Sequence, residues 1–139
     1  MKIKISSLDR MFSNWLRAEK NYTCERCLRR HSPPTQAIHV SHFWGRAKKI
    51  TRFDPENCAV LCFGCHQHFT AHPHEHREWF LKRLGEKKYN ALMLRANTPK
   101  KPDYEMIRLW LKNVCTEKDN DKSSNDISTR KILRQSEAS

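Results

Sequence analysis

No run of apolar residues in this chain approaches the roughly 18 that a membrane span requires, and no internal repeat is visible. The opening Met1-Lys-Ile-Lys-Ile is too short and too charged to be the apolar stretch of an export signal. Acidic residues are scarce, with 15 Asp and Glu against 27 Lys and Arg, giving a formal charge of +12. These absences exclude a helical membrane protein, argue against secretion and place the chain in the cytoplasm. In a reducing compartment, six cysteines read as metal ligands before they read as disulfides. The surplus of positive charge points to a polyanionic partner, nucleic acid foremost. A length of 139 residues is one domain's worth of chain, able to bury a modest core.

The charge is unevenly placed. From Thr116 onward five basic and five acidic residues cancel, so the whole surplus lies in residues 1–115. The stretch 116–139 has no aromatic residue and little to bury, which predicts a disordered tail. Within 1–115, Leu8, Met11, Phe12, Trp15 and Leu16 share one helical face, and Ser6 with Asp9 forms a capping-box pattern at its start. Ile38, Val40 and His42 alternate with Ala37, His39 and Ser41 as in a strand. Cys58-Ala-Val-Leu-Cys-Phe63 is a second short apolar run, able to pair with the first across the basic loop 44–57. A helix is expected near Cys65, another over Glu75–Leu84 ending at Gly85, and two more marked by Tyr89, Leu92, Met93 and Ala96 and by Tyr104, Ile107, Leu111 and Val114.

Two Cys-x-x-Cys knuckles, Cys24–Cys27 and Cys62–Cys65, carry the first chemical signal. Two residues between thiolates let one tight turn aim both sulfurs at a single ion, and two such turns complete a tetrahedral zinc site. The 34 residues between the knuckles must then form a structured insertion. A thioredoxin-like redox pair would explain only one knuckle. Cys58 and Cys115 are left over and read as buried small apolar residues.

Inside the insertion lies the series His42…Asn57…His66, set in Ser41-His-Phe-Trp-Gly-Arg46 and Asp54-Pro-Glu-Asn-Cys-Ala-Val-Leu-Cys-Phe-Gly-Cys-His66. Over residues 20–75 the chain resembles the HNH (ββα-metal) endonuclease family. Ser-His-Phe-x-Gly-Arg behind an amphipathic helix is similar to phage NinG-type recombination proteins. The resemblance implies an α+β fold, a small zinc-stabilised ββα core with flanking helices, in a bacterial or phage-infected cell. It implies hydrolysis of DNA phosphodiester bonds, with His42 as general base, Asn57 bracing the loop that orients it, and His66 holding a catalytic Mg²⁺ or Mn²⁺.

The residues suit that chemistry. A neutral imidazole can take a proton from water, and a cation can stabilise charge on the phosphate. Two positions depart from the family pattern: Ser41 stands where a ligand often precedes the base, and Thr70 where one often follows the last histidine. His39 either compensates as a ligand or is a partly buried strand histidine. His68, His72, His74 and His76, with Pro73 among them, read as a turn and helix start. Arg46, Lys48, Lys49 and Arg52 beside the base are expected to contact phosphates, giving salt-sensitive affinity without reading sequence. The rival reading is a non-catalytic zinc adaptor that binds nucleic acid in recombination or packaging. A zinc-dependent protein scaffold, the third reading, predicts no salt-sensitive DNA affinity.

Overall fold

The computed structural model describes the backbone of residues 5–137 and the side chains of residues 5–120. Over the described residues the fold is α+β, with five α-helices and one two-stranded antiparallel sheet. Helix α1 spans Ser7–Glu19, strand β1 Ile38–His42, strand β2 Cys58–Cys62, and helices α2, α3 and α4 span Phe63–Ala71, Pro73–Leu84 and Glu86–Asn97. Among the described residues, no helix is long and apolar enough to cross a membrane.

Helix α1 begins where its sequence says it should. The Ser6 backbone N–H donates to Asp9 Oδ2 at 2.7 Å, and the Asp9 N–H donates back to Ser6 Oγ at 3.3 Å. This reciprocal cap satisfies donors that the first turn would otherwise leave open. Its apolar face, Leu8, Phe12 and Leu16, is buried, and the Phe12 ring meets Phe53 edge-on at 5.8 Å. The strands pair in the register Ile38↔Cys62, Val40↔Val60 and His42↔Cys58. Cys58, Ala59, Val60 and Leu61 are all fully buried, which explains why β2 reads as a continuous apolar run and not as an alternation. Helices α1 and α2 pack against β1, and α4 packs against the two 3-10 turns, Lys49–Thr51 and Pro55–Asn57, in the loop between the strands. Gly85 separates α3 from α4 at φ +81°, a backbone conformation that side chains disfavour.

The chain divides into two units after Asp103, and the second consists of α5, Tyr104–Glu137. Pro99 and Pro102 interrupt helical hydrogen bonding before Tyr104, whereas no glycine or proline follows it. Thr116–Asn120, expected to be disordered, continue α5. The side chains of the remaining tail, on which that expectation turns, lie outside the described residues.

One buried ion pair ties α1 to the loop between the strands. Arg52 Nε and Nη2 donate to the two oxygens of Asp9 at 2.8 and 2.7 Å. Burial by itself would raise the Asp9 pKa, but the Arg52 fork and the Ser6 donors outweigh it and hold the carboxyl at about 2. A carboxylate depressed from 3.8 to about 2 stabilises the fold by roughly 2 kcal/mol above pH 4, and that contribution is lost as pH falls toward 2. Asp9→Asn is accordingly expected to lower the unfolding free energy by at least about 2 kcal/mol at pH 7. The gap from wild type should narrow toward pH 2, as read by urea denaturation at each pH. A gap that stays constant across this range would show that the Asp9 charge plays no part.

Candidate functional site

The two knuckles converge. The Sγ atoms of Cys24, Cys27, Cys62 and Cys65 all lie within 4.8 Å of one another, and those of Cys27 and Cys62 are 3.8 Å apart. Tetrahedral zinc with Zn–S bonds of about 2.3 Å requires sulfur separations near 3.8 Å, so the donor set fits a structural zinc. Local backbone geometry makes the first knuckle. The Leu28 N–H donates to Cys24 O at 2.9 Å with Leu28 at φ +64°, and the Cys27 N–H points at Cys24 Sγ at 3.5 Å. Glu25 then docks the knuckle on β2. Its N–H donates to Val60 O at 2.9 Å, its carboxylate accepts from Val60 N–H at 2.6 Å, and Arg83 of α3 reaches it at 3.0 Å. The second knuckle is supplied by the end of β2 and the first turn of α2. Arg26 Nη1 lies 3.5 Å from Cys65 Sγ and offsets part of the thiolate charge. Cys58 sits apart from this cluster, fully buried in β2, where burial pushes its thiol well above the usual range.

Beside the zinc site a cleft of about 710 Å³ opens between α1 and β1. His39, His42 and His66 line it, so the structure brings the predicted base and the predicted metal ligands to one cavity. His42 Nε2 lies 2.9 Å from the Arg52 carbonyl oxygen. That oxygen can only accept, so the ring carries its proton on Nε2 and keeps a lone pair on Nδ1. Burial is the main influence lowering the His42 pKa below 6.5, with the Arg46 and Arg52 charges adding to it, so the imidazole is neutral at pH 7.

Asn57 is fully buried and braces the loop behind the base. Its Nδ2 donates to Trp44 O at 2.9 Å and Thr51 O at 3.0 Å, while its Oδ1 accepts from Trp44 N–H at 2.8 Å. Asn57 thus ties the backbone of two points in this loop together and does not line the cleft.

His66, in α2 next to Cys65, faces His39 with ring centroids 5.6 Å apart. Its pKa is lowered, first by burial and then by His39, which favours the neutral form that binds metal. Ser41 is buried, and Thr70 donates to His66 O at 2.9 Å within its own helix. Among the described residues, no third histidine, cysteine or carboxylate joins His39 and His66 in a ligand group. A pair of imidazoles suits a later transition ion best and fits Mg²⁺ poorly, and Mn²⁺ would need oxygen donors from water or phosphate to complete its shell.

The basic loop departs from expectation. Arg46 lines the cleft, but Arg52 is committed to Asp9. Lys48 lies over the Trp44 ring at 4.6 Å and donates to Asn97 at 3.3 Å, and Lys49 is exposed on a 3-10 turn and does not line the cleft. Spacing along a loop could not separate a lysine that turns toward α4 from an arginine that lines the cleft. The cleft also has lining that the sequence reading did not single out: Arg10, Ser13, Asn14 and Arg17 of α1 form the wall opposite β1. Their signal was the polar face at i, i+3, i+4 and i+7 behind the apolar one. Of the histidine tract, His72 is the turn and His74 and His76 begin α3, as expected, whereas His68 lies within α2. His76 is packed among Phe69, Phe80 and Phe43 at 4.9, 5.1 and 5.5 Å, and His68 pairs with Glu75.

Protein purified without chelator is expected to carry one tightly held zinc per chain, as read by elemental analysis. Cys24→Ser or Cys65→Ser should lose that zinc and the cooperative thermal transition, because metal binding of on the order of 10 kcal/mol is coupled to folding in small modules. Zinc-free wild-type protein with an unchanged melting curve would contradict the assignment. Comparison with family models, curated proteins and solved structures finds no match to this chain. The functional reading therefore rests on the site's own geometry.

Proposed function

We propose that the protein is a metal-dependent endonuclease of the HNH type that hydrolyses DNA phosphodiester bonds. The observation that carries this reading is the state of His42. Its Nε2–H is anchored on Arg52 O, its Nδ1 lone pair is left available, and it shares a cleft with His66, His39 and Arg46. A strand histidine with one nitrogen tied to backbone is oriented and tautomerically defined, as a general base must be.

In the proposed reaction Nδ1 of His42 accepts a proton from a water, and the resulting hydroxide attacks phosphorus. The P–O3′ bond breaks, and the leaving oxygen takes up a proton from solvent, giving 5′-phosphate and 3′-hydroxyl ends. A divalent ion held by His66 and His39 would supply charge stabilisation at the phosphate and the leaving oxygen. Arg46 holds a phosphate oxygen, which places the scissile group beside the base. Asn57 keeps Trp44 and Thr51 in place, and thereby the loop that carries the carbonyl of Arg52. Burial of His42 outweighs the opposing influence of the Arg52 carbonyl and the Asp9 carboxylate, so the imidazole is in its working, deprotonated form at neutral pH.

His42→Ala should reduce cleavage of supercoiled plasmid by about 10²–10⁴-fold while zinc content and melting temperature stay near wild type. His66→Ala should also stop cleavage, with partial rescue by raised Mn²⁺ that His42→Ala does not show. The rate should fall on acidification through an inflection below pH 6.5, since protonation removes the base, and be flat above it. Cleavage by His42→Ala at the wild-type rate in matched preparations would overturn the nuclease reading and leave the non-catalytic adaptor.

A further inference from the structure

The cleft has two walls, and the chemistry proposed above uses only one of them. The other is α1. Arg10, Ser13, Asn14 and Arg17 follow one another at i, i+3, i+4 and i+7, so they form a single stripe along the helix. All four line the cavity that contains His42. The opposite face of the same helix, Leu8, Phe12 and Leu16, is buried in the core, so the stripe is fixed in direction by packing. Every member of the stripe can donate a hydrogen bond, and two carry positive charge. Arg17 is already held in place, with Nη1 donating to Thr35 O at 3.3 Å and Nη2 to Asn14 Oδ1 at 2.6 Å. Asp9 is the single carboxylate among the residues lining the cleft, and its charge is matched by Arg52. The only anionic group among the residues lining this wall is therefore already neutralised.

The spacing suits a particular ligand. Seven residues of helix place Arg10 and Arg17 about 10 Å apart along the axis. Three steps of a stacked nucleic-acid strand, at about 3.4 Å each, cover the same length. From these observations we infer that α1 is a phosphate-tracking wall. It holds the backbone of one DNA strand along Arg10, Ser13, Asn14 and Arg17 and presents the phosphate between them to His42. The inference rests on the nuclease reading for the identity of the polyanion and adds the surface that binds it. Contacts of this kind position a strand without reading its sequence.

The test separates binding from cleavage by using full-length zinc-loaded protein carrying His42→Ala, which should not cut. Its affinity for a fluorescein-labelled single-stranded oligonucleotide, and for the same sequence as duplex, is measured by anisotropy over a series of KCl concentrations. Adding Arg10→Gln and Arg17→Gln together should flatten the slope of log K against log salt. The expected change is about 1.4 for the single strand and about 1.8 for the duplex, two contacts at roughly 0.7 or 0.9 each. Arg10→Gln alone should give half of that. Arg10 is exposed, so this single variant keeps the test sound even if loss of the Arg17 bonds loosens the fold. Lys82→Gln, an exposed charge on α3 outside the cleft, should leave the slope unchanged.

A slope unaffected by Arg10→Gln, or lowered equally by Lys82→Gln, would overturn the α1 wall. The nuclease reading would survive either result, since it falls only if cleavage proves independent of His42. Failure of the parent protein to bind DNA in a salt-dependent manner would overturn the wall as well.

Discussion

Four cysteine sulfurs held within 4.8 Å of one another are the constraint on which the rest of the first unit depends. They belong to two turns far apart in sequence, one following α1 and the other joining β2 to α2. Bringing the turns together brackets everything between them, including β1, the basic loop and β2. The bracketed chain runs to 34 residues, while its core consists of a handful such as Ile38, Val60 and Leu61. A small core of this kind cannot by itself offset the ordering entropy of so long an insertion. A metal ion held by the four sulfurs would close the ends and make up the difference. It would also fix His66, which follows Cys65 directly in the first turns of α2.

Within the bracket, two buried polar residues convert a hairpin into a site. Asn57 bonds the backbone of Trp44 and Thr51, so the loop between the strands has one conformation. Asp9 grips the Arg52 side chain while the Arg52 carbonyl accepts from His42, so a carboxylate in α1 reaches the imidazole through a single intervening residue. The two are complementary. Asn57 sets where the loop lies, and Asp9 sets where one residue of that loop points. Both are buried polar groups with their bonds made, which is the condition under which such groups sharpen a structure and do not weaken it.

Local features were legible along the chain wherever short-range chemistry decides the outcome. The Ser6–Asp9 cap, the two-residue spacing within each knuckle, the alternation around Val40 and the glycine after Leu84 each point to one local conformation, and each is found. The basic loop was not legible in the same way. Arg46, Lys48, Lys49 and Arg52 look equivalent on paper, yet one lines the cleft, one lies over Trp44, one stays exposed and one is neutralised by an aspartate 43 positions away. Long cationic side chains go where a partner is, and their partners come from α1 and α4.

Zinc-type ligation, the antiparallel pairing of two short strands and the series His42, Asn57 and His66 were determined by the sequence alone, since each follows from residue type and spacing within a few turns of chain. Tertiary structure alone decided which face of α1 became a cleft wall, that Asp9 would capture Arg52, and that Ser41 would be buried while His39 turned to His66. The physical reason is the range of the interactions involved. Capping, knuckle turns and strand alternation are set by neighbours in the chain. Charge pairing and the shape of a cavity depend on which distant surfaces the folded core brings within a few ångströms.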